Sequence, residues 1–387
     1  MQSAVKRRRI IGKQKADHFD RQKPEDDDLE LIIVDHFDRQ KPEDDDLELI
    51  IVEPQGGPAK RHHLQAARHG LEPRTFLKML RLGLPIALFN LIWFCHQHGS
   101  QGDALDYIEF FSGVGNVHKA FAERGHASVA FDEVNDAHRQ DFLGHAGILT
   151  CVQLLRRLRC GGGTHWATVC SSWVWVNRGT ARRHVDFPLG WEPRSAGVQA
   201  ANRMVALMAM YLMWLIAKGC SWILEQPSSS LMSLHPRLVE VRNAVGKEWV
   251  EISTCMGAFG AATIKSSKLW SSSAWAKELA RNLSKRQRQQ LGSARSGKET
   301  TKYNKIIGNV HGGPDLKATQ EYPVGYGYAV VHAFERDQQE VHIETASEGD
   351  SEAEFERLIS EDRDPWDDTG ISEVCEWLGI PHDRWIA

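Results

Sequence analysis

An apolar segment that ends in a glycine turn is the first part of this chain whose residue types suggest chemistry. In Tyr107–Phe121 an apolar run leads into Gly113 and Gly115, and a helix-like stretch follows. A second apolar run ends at Asp132. Glycines let backbone N–H groups approach a ligand closely, and an acid at the end of the next strand can accept both hydroxyls of a ribose. These residues predict a nucleotide-binding half-fold.

The number of glycines narrows the choice of cofactor. The turn has two glycines, whereas the dinucleotide fingerprint has three. We therefore expect a cofactor without a pyrophosphate, and S-adenosylmethionine is the clearest candidate.

A cysteine and a glutamate follow two later apolar runs. Cys170 comes directly after His165–Val169, and Glu225 comes directly after Trp222–Leu224. In open α/β sheets, ligands and catalytic groups gather just beyond the carboxyl ends of the strands. Cysteine is the side chain whose thiolate is accessible near neutral pH. The pair therefore predicts a nucleophile and an acid that share one cleft.

Alternating strands and helices must position these residues. Hydrophobic periodicity predicts strands over Tyr107–Phe111, Ala127–Phe131, His165–Val169, Trp222–Leu224, Trp249–Cys255 and Lys268–Ser271. It predicts helices over Asn116–Arg124, Ile148–Leu158 and Ala196–Ala217, with a long loop at Ser171–Ser195. Such alternation indicates the α/β class, with a mostly parallel sheet covered by helices on both faces.

Composition divides the chain into four parts. We expect a disordered N-terminal region at 1–72, a helical lead-in at 73–105, a main domain at 106–334 with a basic insertion at 277–305, and a disordered acidic tail at 335–387. Within the tail, Ile371–Leu378 has the pattern of a short amphipathic helix. Helical periodicity also extends over Phe76–Cys95, with a break at Gly83–Pro85.

The N-terminal region contains an 18-residue segment twice, at Asp17–Val34 and Asp35–Val52. Each copy is acidic and ends in a short apolar run, Leu31–Val34 and Leu49–Val52. An apolar strand beside an acidic run resembles the motif that binds the small modifier SUMO by adding a strand to its sheet. A duplication without a selected role remains the alternative.

Charge is strongly segregated along the chain. Residues 54–334 carry a net charge of +14, between acidic ends of −5 and −13. A basic body suits a polyanionic partner, whereas charged tails that only maintain solubility are the alternative. The seven cysteines contain no Cys-x-x-Cys pair, and the histidines lack metal-ligand spacing, so we expect an intracellular, reducing location and no metal. The basic run Lys6–Arg9 favours the nucleus over the cytoplasm.

The order of these motifs resembles that of the cytosine-C5 DNA methyltransferases, whose fold is Rossmann-like. Their signature is a Phe-x-Gly-x-Gly turn, an acid, an Asp, a Pro-Cys dipeptide and a Glu-Asn-Val element. The matching positions in this chain are Phe111, Gly113, Gly115, Asp132, Asp141, Cys170 and Glu225. The resemblance covers roughly residues 106–334.

The resemblance implies a role for each of these residues. Phe111 and the two glycines would line the S-adenosylmethionine site, Asp132 would hold the ribose, and Asp141 would approach the adenine amino group. Cys170 would add to C6 of cytosine, which makes C5 nucleophilic enough to take the methyl group. Glu225 would engage N3 of the ring.

The chain departs from the family pattern in its second half. Val169 precedes the cysteine in place of proline, and Gln226-Pro227 replaces Asn-Val. Phe259–Lys265 takes the place of a Gln-x-Arg-x-Arg element, and only about 35 residues separate Ser273 from Asn309, where the family has a target-recognition domain.

Aromatic and basic side chains near the predicted site could contact nucleic acid, DNA rather than RNA. We assign this role to Trp173, Arg178, Arg182, Arg183 and Lys265. The arginines could also lower the pKa of the Cys170 thiol or grip phosphates. Two alternatives stay open: methylation of RNA or another substrate with a structural Cys170, and an inactive relative that binds nucleic acid or SUMO.

Overall fold

A computed structural model describes residues 72–99, 102–191, 195–293, 301–304, 309–312, 321–340, 357–359 and 366–380. The basic run at Lys6–Arg9, the duplicated segment and its apolar ends, Leu31–Val34 and Leu49–Val52, lie outside the described residues.

A six-stranded sheet forms the centre of the described structure. Its strands are β1 (Leu105–Phe110), β2 (Ser128–Phe131), β3 (Leu158–Trp166), β4 (Ser221–Pro227), β5 (Val250–Cys255) and β6 (Ser266–Ser271). Their order is β2-β1-β3-β4-β6-β5, with β1 to β4 parallel and β6 antiparallel to both its neighbours. A separate antiparallel pair consists of β7 (Thr301–Asn304) and β8 (Asn309–Gly312). The predicted α/β class and mostly parallel sheet are confirmed.

Helices cover both faces of the sheet. They are α1 (Pro73–Arg81), α2 (Ile86–His98), α3 (Asn116–Glu123), α4 (His145–Arg157), α5 (Arg178–Ala181), α6 (Ala196–Lys218), α7 (Pro236–Val245), α8 (Lys285–Ser293), α9 (Val324–Glu340) and α10 (Ile371–Trp377). By length and composition α6 could cross a membrane, but 72% of its most apolar window is buried inside the protein. The predicted helical lead-in is confirmed, with α1 and α2 separated at Gly83–Pro85.

Side chains alternate between the two faces along each strand. Ile108 and Phe110 of β1 belong to the larger core, together with α2, α4 and α6. Tyr107 belongs to the second core, which α3 and α9 cover, and its ring lies 3.8 Å from that of Phe121. Because alternation places residues i and i+2 on one face, Glu109 lies on the same side as Tyr107, toward α3 and α9.

The strand order locates the cleft of this sheet. The chain passes from β1 to β2 on one side and then crosses to β3 on the other side of β1. In open α/β sheets such a switch of direction leaves a crevice beyond the carboxyl ends of the two diverging strands. The turns that follow β1 and β3 therefore border the most favourable ligand site of the fold.

The strand that precedes Cys170 ends earlier than the sequence predicts, at Trp166 instead of Val169. β3 ends at Trp166, and the Ala167 N–H donates to the Phe110 carbonyl in the last sheet-like contact. Beyond this point the Gln226 side-chain amide donates to the Thr168 carbonyl at 2.7 Å. A buried side chain thus takes the place of a neighbouring strand and holds the segment that leads to Cys170.

Part of the predicted basic insertion belongs to the core. The 3-10 helix Ala274–Leu279 packs against α9, and Leu279 and Leu283 are buried. The predicted start of the basic insertion, residue 277, is therefore wrong. The first residues of this segment are part of the domain, because the apolar side chains that alternate with the basic ones pack into the core.

The prediction of a disordered acidic tail is wrong for residues 366–380. Trp366 is buried, and its indole N–H donates to the Gly83 carbonyl at 2.8 Å. The buried residues of α10 are Ile371, Val374 and Cys375, and α10 packs against α2 and α4. Ion pairs from Arg203 to Glu373 and from Arg237 to Asp368 add to this contact. The acidic side chains meet basic partners, while the apolar ones enter the larger core.

Removal of the Trp366 side chain should destabilise the domain substantially. We expect Trp366→Ala to lower the free energy of unfolding by about 3–5 kcal/mol, because it empties a buried aromatic site and leaves the Gly83 carbonyl without its donor. Urea unfolding monitored by far-UV circular dichroism measures this loss. The control is Trp377→Ala in the same segment, at a side chain that is 36% exposed. Equal effects of the two changes would show that residues 366–380 are not part of the core.

Candidate active site

The glycine turn after β1 is open on its outer side. Phe111, Gly113 and Gly115 have φ values of 58°, 53° and 70°. A β-carbon added at Gly113 would meet no atom within 4 Å, whereas one at Gly115 would contact Ala130 at 3.7 Å. The backbone turns back on itself here and then enters α3, where the His118 N–H donates to the buried Glu109 carboxylate. A ligand therefore has room to approach the backbone at Gly113.

Glu109 is a site residue that the motif analysis did not assign. Its side chain is fully buried at the end of β1, and its Oε2 accepts the N–H of His118 at 2.7 Å and that of Val117. Burial raises the pKa of this carboxyl to about 7. Among the residues that the structure describes, none donates a hydrogen bond to its Oε1. The sequence signal was present, because an acid inside an apolar strand immediately before a glycine turn requires a buried partner.

Asp132 links the ends of β1 and β2. Its Oδ2 accepts the N–H of Gly113 at 2.8 Å, and its Oδ1 accepts the N–H of Val134 at 2.9 Å. The Asp132 carboxylate thus lies beside the glycine turn and also holds its backbone in place. Each oxygen keeps further acceptor capacity, so these bonds leave the predicted ribose contact possible.

Asp141 lies in the exposed turn that precedes α4. Its Oδ1 accepts the N–H of Leu143 at 3.1 Å, which is the ordinary turn-forming role of aspartate. The next residue, Phe142, packs against Phe111 with ring centroids 4.9 Å apart. Asp141 is therefore adjacent to the glycine turn, as the predicted adenine contact requires.

Cys170 and Glu225 share one electrostatic environment. Burial raises the pKa of the Cys170 thiol, and the Glu225 charge raises it further, while Lys265 opposes both effects. Glu225 is therefore close enough to Cys170 for its charge to act on the thiol. Among the described side chains, the cation that lowers this pKa is Lys265 and not the predicted Arg182 or Arg183.

The Glu225 carboxylate is surrounded by donors. The Ser267 hydroxyl donates to Oε1 at 2.5 Å, and the Tyr322 hydroxyl donates to Oε2 at 2.9 Å. The Lys265 ammonium lies 3.9 Å from Oε1 and 4.8 Å from the centroid of the Tyr322 ring. Lys265 was predicted to bind nucleic acid; its described contacts are instead with the acid and tyrosine of the site.

Trp173 and Arg183 hold the loop from the inside. Both are buried, and the Arg183 guanidinium lies 3.5 Å from the Trp173 ring centroid. Arg183 also donates to the Ser172 carbonyl, to the Pro188 carbonyl at 2.7 Å and to the Asn202 side chain at 2.8 Å. The prediction that these two side chains contact nucleic acid is wrong, because neither has exposed surface with which to stack on a base or bind a phosphate.

Other side chains of the same loop face solvent. Trp175 is 62% exposed, and Arg182 is exposed with its guanidinium 3.5 Å from the Trp191 ring centroid. Arg178 begins α5, and its side chain lies outside the described part of the chain. Trp175 and Arg182 are therefore an exposed aromatic and an exposed basic group of this loop.

Backbone strain is concentrated around the cleft. Within the described residues, three non-glycine positions have positive φ: Phe111 at 58°, Arg182 at 52° and Lys265 at 29°. One lies in the glycine turn, one in the loop after Cys170 and one beside Glu225. Such conformations persist where the surrounding structure enforces them, and they occur preferentially at functional sites.

Exposed apolar surface is concentrated at the same edge of the sheet. Of eight large hydrophobic side chains found exposed in the described ranges, six follow β1, β2 or β3: Val114, Val134, Val169, Trp175, Val185 and Phe187. Exposed apolar groups that cluster beside a crevice indicate a binding surface. Strand order, strain and exposure thus all point to one ligand-binding edge.

No family model matches this sequence, and no curated protein matches it significantly. Within the described residues no group of histidine, cysteine, aspartate and glutamate side chains could hold a metal ion.

The charges around Cys170 should control its reactivity. We expect iodoacetamide to alkylate Cys170 more slowly than the exposed Cys160 at neutral pH, with a rate that rises as the pH approaches the raised pKa of the thiol. Glu225→Gln should speed the reaction by roughly 3- to 10-fold, since it removes the charge that raises this pKa, and Lys265→Gln should slow it similarly. Mass spectrometry of the alkylated peptides measures both rates. The same rate in all three proteins would contradict the proximity of these groups.

Proposed function

We propose that this chain is an S-adenosylmethionine-dependent methyltransferase of Rossmann-like fold that acts on nucleic acid, at C5 of cytosine in DNA. The proposal is supported chiefly by the effect of the Glu225 charge on the Cys170 thiol and by the open backbone at Gly113. Methyl transfer to a pyrimidine ring by this route needs a nucleophile, an acid and a cofactor turn, and these residues would supply all three.

The residues around the glycine turn fit an adenosine-containing cofactor. The open outer side at Gly113 admits a ligand, and the Asp132 carboxylate borders it with free acceptor capacity for ribose hydroxyls. The ring of Phe111 and the exposed Val134 provide apolar surface for an adenine. Bound there, S-adenosylmethionine would supply an electrophilic methyl group.

The thiol must lose its proton before it can react. Its raised pKa keeps Cys170 protonated at rest, and the carboxylate that it senses is that of Glu225. We assign Glu225 as the acceptor of this proton. Uptake of the proton removes the negative charge that opposes the thiolate, so the two groups ionise in a coupled manner.

The protonated Glu225 can then donate to N3 of the cytosine. As the Cys170 sulfur forms a bond to C6, the π electrons of the ring move toward N3, which takes the proton from Glu225. The sum of these steps adds S–H across the ring, and the carboxylate is restored. The C5 position becomes electron-rich and takes the methyl group. Loss of the C5 proton to solvent then re-forms the C5–C6 double bond and expels the thiolate. The N3 proton returns to Glu225 and from there to the Cys170 sulfur, which restores the thiol.

Nucleic acid is the substrate class that the surface favours. Residues 54–334 carry a net charge of +14, and the loop after Cys170 exposes Trp175 and Arg182. An exposed aromatic ring can stack on a base that has left its duplex, and arginine can pair with phosphate. These groups replace the buried Trp173 and Arg183 in this role.

Identification of the methylated base tests the proposal. The purified protein is incubated with methyl-labelled S-adenosylmethionine and, separately, with single-stranded DNA, duplex DNA and RNA, and the labelled base is identified by chromatography. We expect 5-methylcytosine in DNA. Cys170→Ala should abolish transfer, and Glu225→Gln should reduce it by about 100-fold or more. Cys160→Ala, at an exposed thiol outside the cleft, serves as the control.

A trapped adduct distinguishes the mechanism from its alternatives. DNA with 5-fluorocytosine should form a stable covalent bond to Cys170, since fluorine at C5 cannot leave as a proton does. Full activity of Cys170→Ala would show a different substrate chemistry with a structural cysteine. Absence of S-adenosylmethionine binding by calorimetry would leave only a non-enzymatic role.

Trp175 should contribute to nucleic-acid binding without affecting the cofactor. We expect Trp175→Ala to weaken the binding of a single-stranded oligonucleotide by roughly 10-fold, the typical value of one stacked base, while Trp175→Phe retains most of the affinity. Fluorescence anisotropy with a labelled oligonucleotide measures this. An unchanged dissociation constant for Trp175→Ala would exclude the loop as the binding surface.

A further inference from the structure

We infer that Tyr322 is a positioning residue that ties the catalytic acid to the cofactor turn. This inference rests on the proposed function and assigns a role that no sequence motif predicts. Tyr322 lies just before α9, far along the chain from both Glu225 and Gly115. It is 5% exposed.

The two ends of Tyr322 contact the two halves of the site. Its hydroxyl donates to Glu225 Oε2 at 2.9 Å, and its backbone carbonyl accepts the Asn116 side-chain amide at 2.6 Å. Asn116 is the first residue of α3, immediately after Gly115. One residue therefore connects the turn that would carry the methyl donor with the acid that would engage the base.

The ring of Tyr322 is held by its neighbours. The His165 ring meets it edge-on with centroids 5.1 Å apart, the Tyr326 ring lies at 5.0 Å, and the Lys265 ammonium lies over it at 4.8 Å. Burial and the Glu225 charge raise the pKa of the Tyr322 hydroxyl well above its ordinary value, so it remains a donor throughout the working pH range. Glu225 consequently has a fixed hydrogen-bond donor in the Tyr322 hydroxyl.

Together these contacts define the orientation of Glu225. With Ser267 on one oxygen and Tyr322 on the other, the carboxylate plane is set by two donors from different elements. Catalytic groups depend on such orientation, because small displacements of an acid from its substrate are costly. Loss of the Tyr322 hydroxyl would leave the acid present but free to rotate.

Tyr326 provides a matched control. It is buried in the same cluster, and its hydroxyl lies 3.1 Å from His165 Nε2; its described hydrogen bond does not involve Glu225. Tyr322→Phe and Tyr326→Phe each delete one buried hydroxyl from the same side of the sheet. A difference between them therefore reports on Glu225 and not on general loss of a buried hydrogen bond.

Steady-state methyl transfer by the full chain tests the inference. We expect Tyr322→Phe to lower kcat by roughly 10- to 100-fold, the typical effect of a lost hydrogen bond to a charged group, with the Kd of S-adenosylmethionine unchanged. Tyr326→Phe should keep kcat within about 3-fold. Asn116→Ala should also lower kcat, and the double variant Asn116→Ala with Tyr322→Phe should lose less than the product of the single effects, because both act through one residue.

The outcomes separate this inference from the proposed function. An active wild type with equal kcat for Tyr322→Phe and Tyr326→Phe would overturn the positioning role and leave the function intact. A wild type that neither binds the cofactor nor transfers a methyl group would reject both. If the wild type is inactive, thermal stability still tests the contact between Tyr322 and Glu225. The double variant Tyr322→Phe with Glu225→Gln should then lose less Tm than the sum of the two single losses, which would show that the contact exists without the reaction.

Discussion

The buried Glu109 carboxylate is the constraint from which the rest of the cleft follows. A carboxylate at the end of a central strand must find donors, and the first N–H groups of α3 supply them. The chain between Glu109 and Val117 therefore has to reverse its direction in a few residues. The turn that does so has left-handed residues at Phe111, Gly113 and Gly115, a conformation that glycine adopts without steric cost. The glycine turn and the buried acid are thus linked through the first N–H groups of α3.

The same rule of partnered acids applies across the cleft. Asp132 takes backbone donors from two strand ends, and Glu225 takes hydroxyl donors from Ser267 and Tyr322. Asp132 thus joins the ends of the neighbouring strands β1 and β2, and Glu225 joins β4 and β6 to the segment before α9. The hydrogen bonds that stabilise these acids therefore also fix the positions of their side chains.

Periodicity and strand ends were sufficient to predict the α/β class and the order of the strands and helices in the main domain. They could not predict partners from distant segments. Lys265 and Tyr322 reach Glu225 only through tertiary packing. The pattern at Ile371–Leu378 predicted the helix α10, but the average acidity of residues 335–387 concealed Trp366, whose burial depends on a surface provided by α2 and its neighbours. Likewise, the sequence identifies Trp173 and Arg183 as aromatic and basic, but only packing shows that they bind each other.

The electrostatic arrangement around Cys170 has a protective consequence. A permanently ionised thiol would react with oxidants in the absence of substrate, because susceptibility follows thiolate character. Burial and the Glu225 charge instead keep this thiol protonated, while Lys265 limits the increase in its pKa. In the proposed mechanism, uptake of the thiol proton by Glu225 removes one cause of the raised pKa at the moment when the thiolate is needed. The acid that opposes ionisation of the thiol at rest would then be the group that controls it.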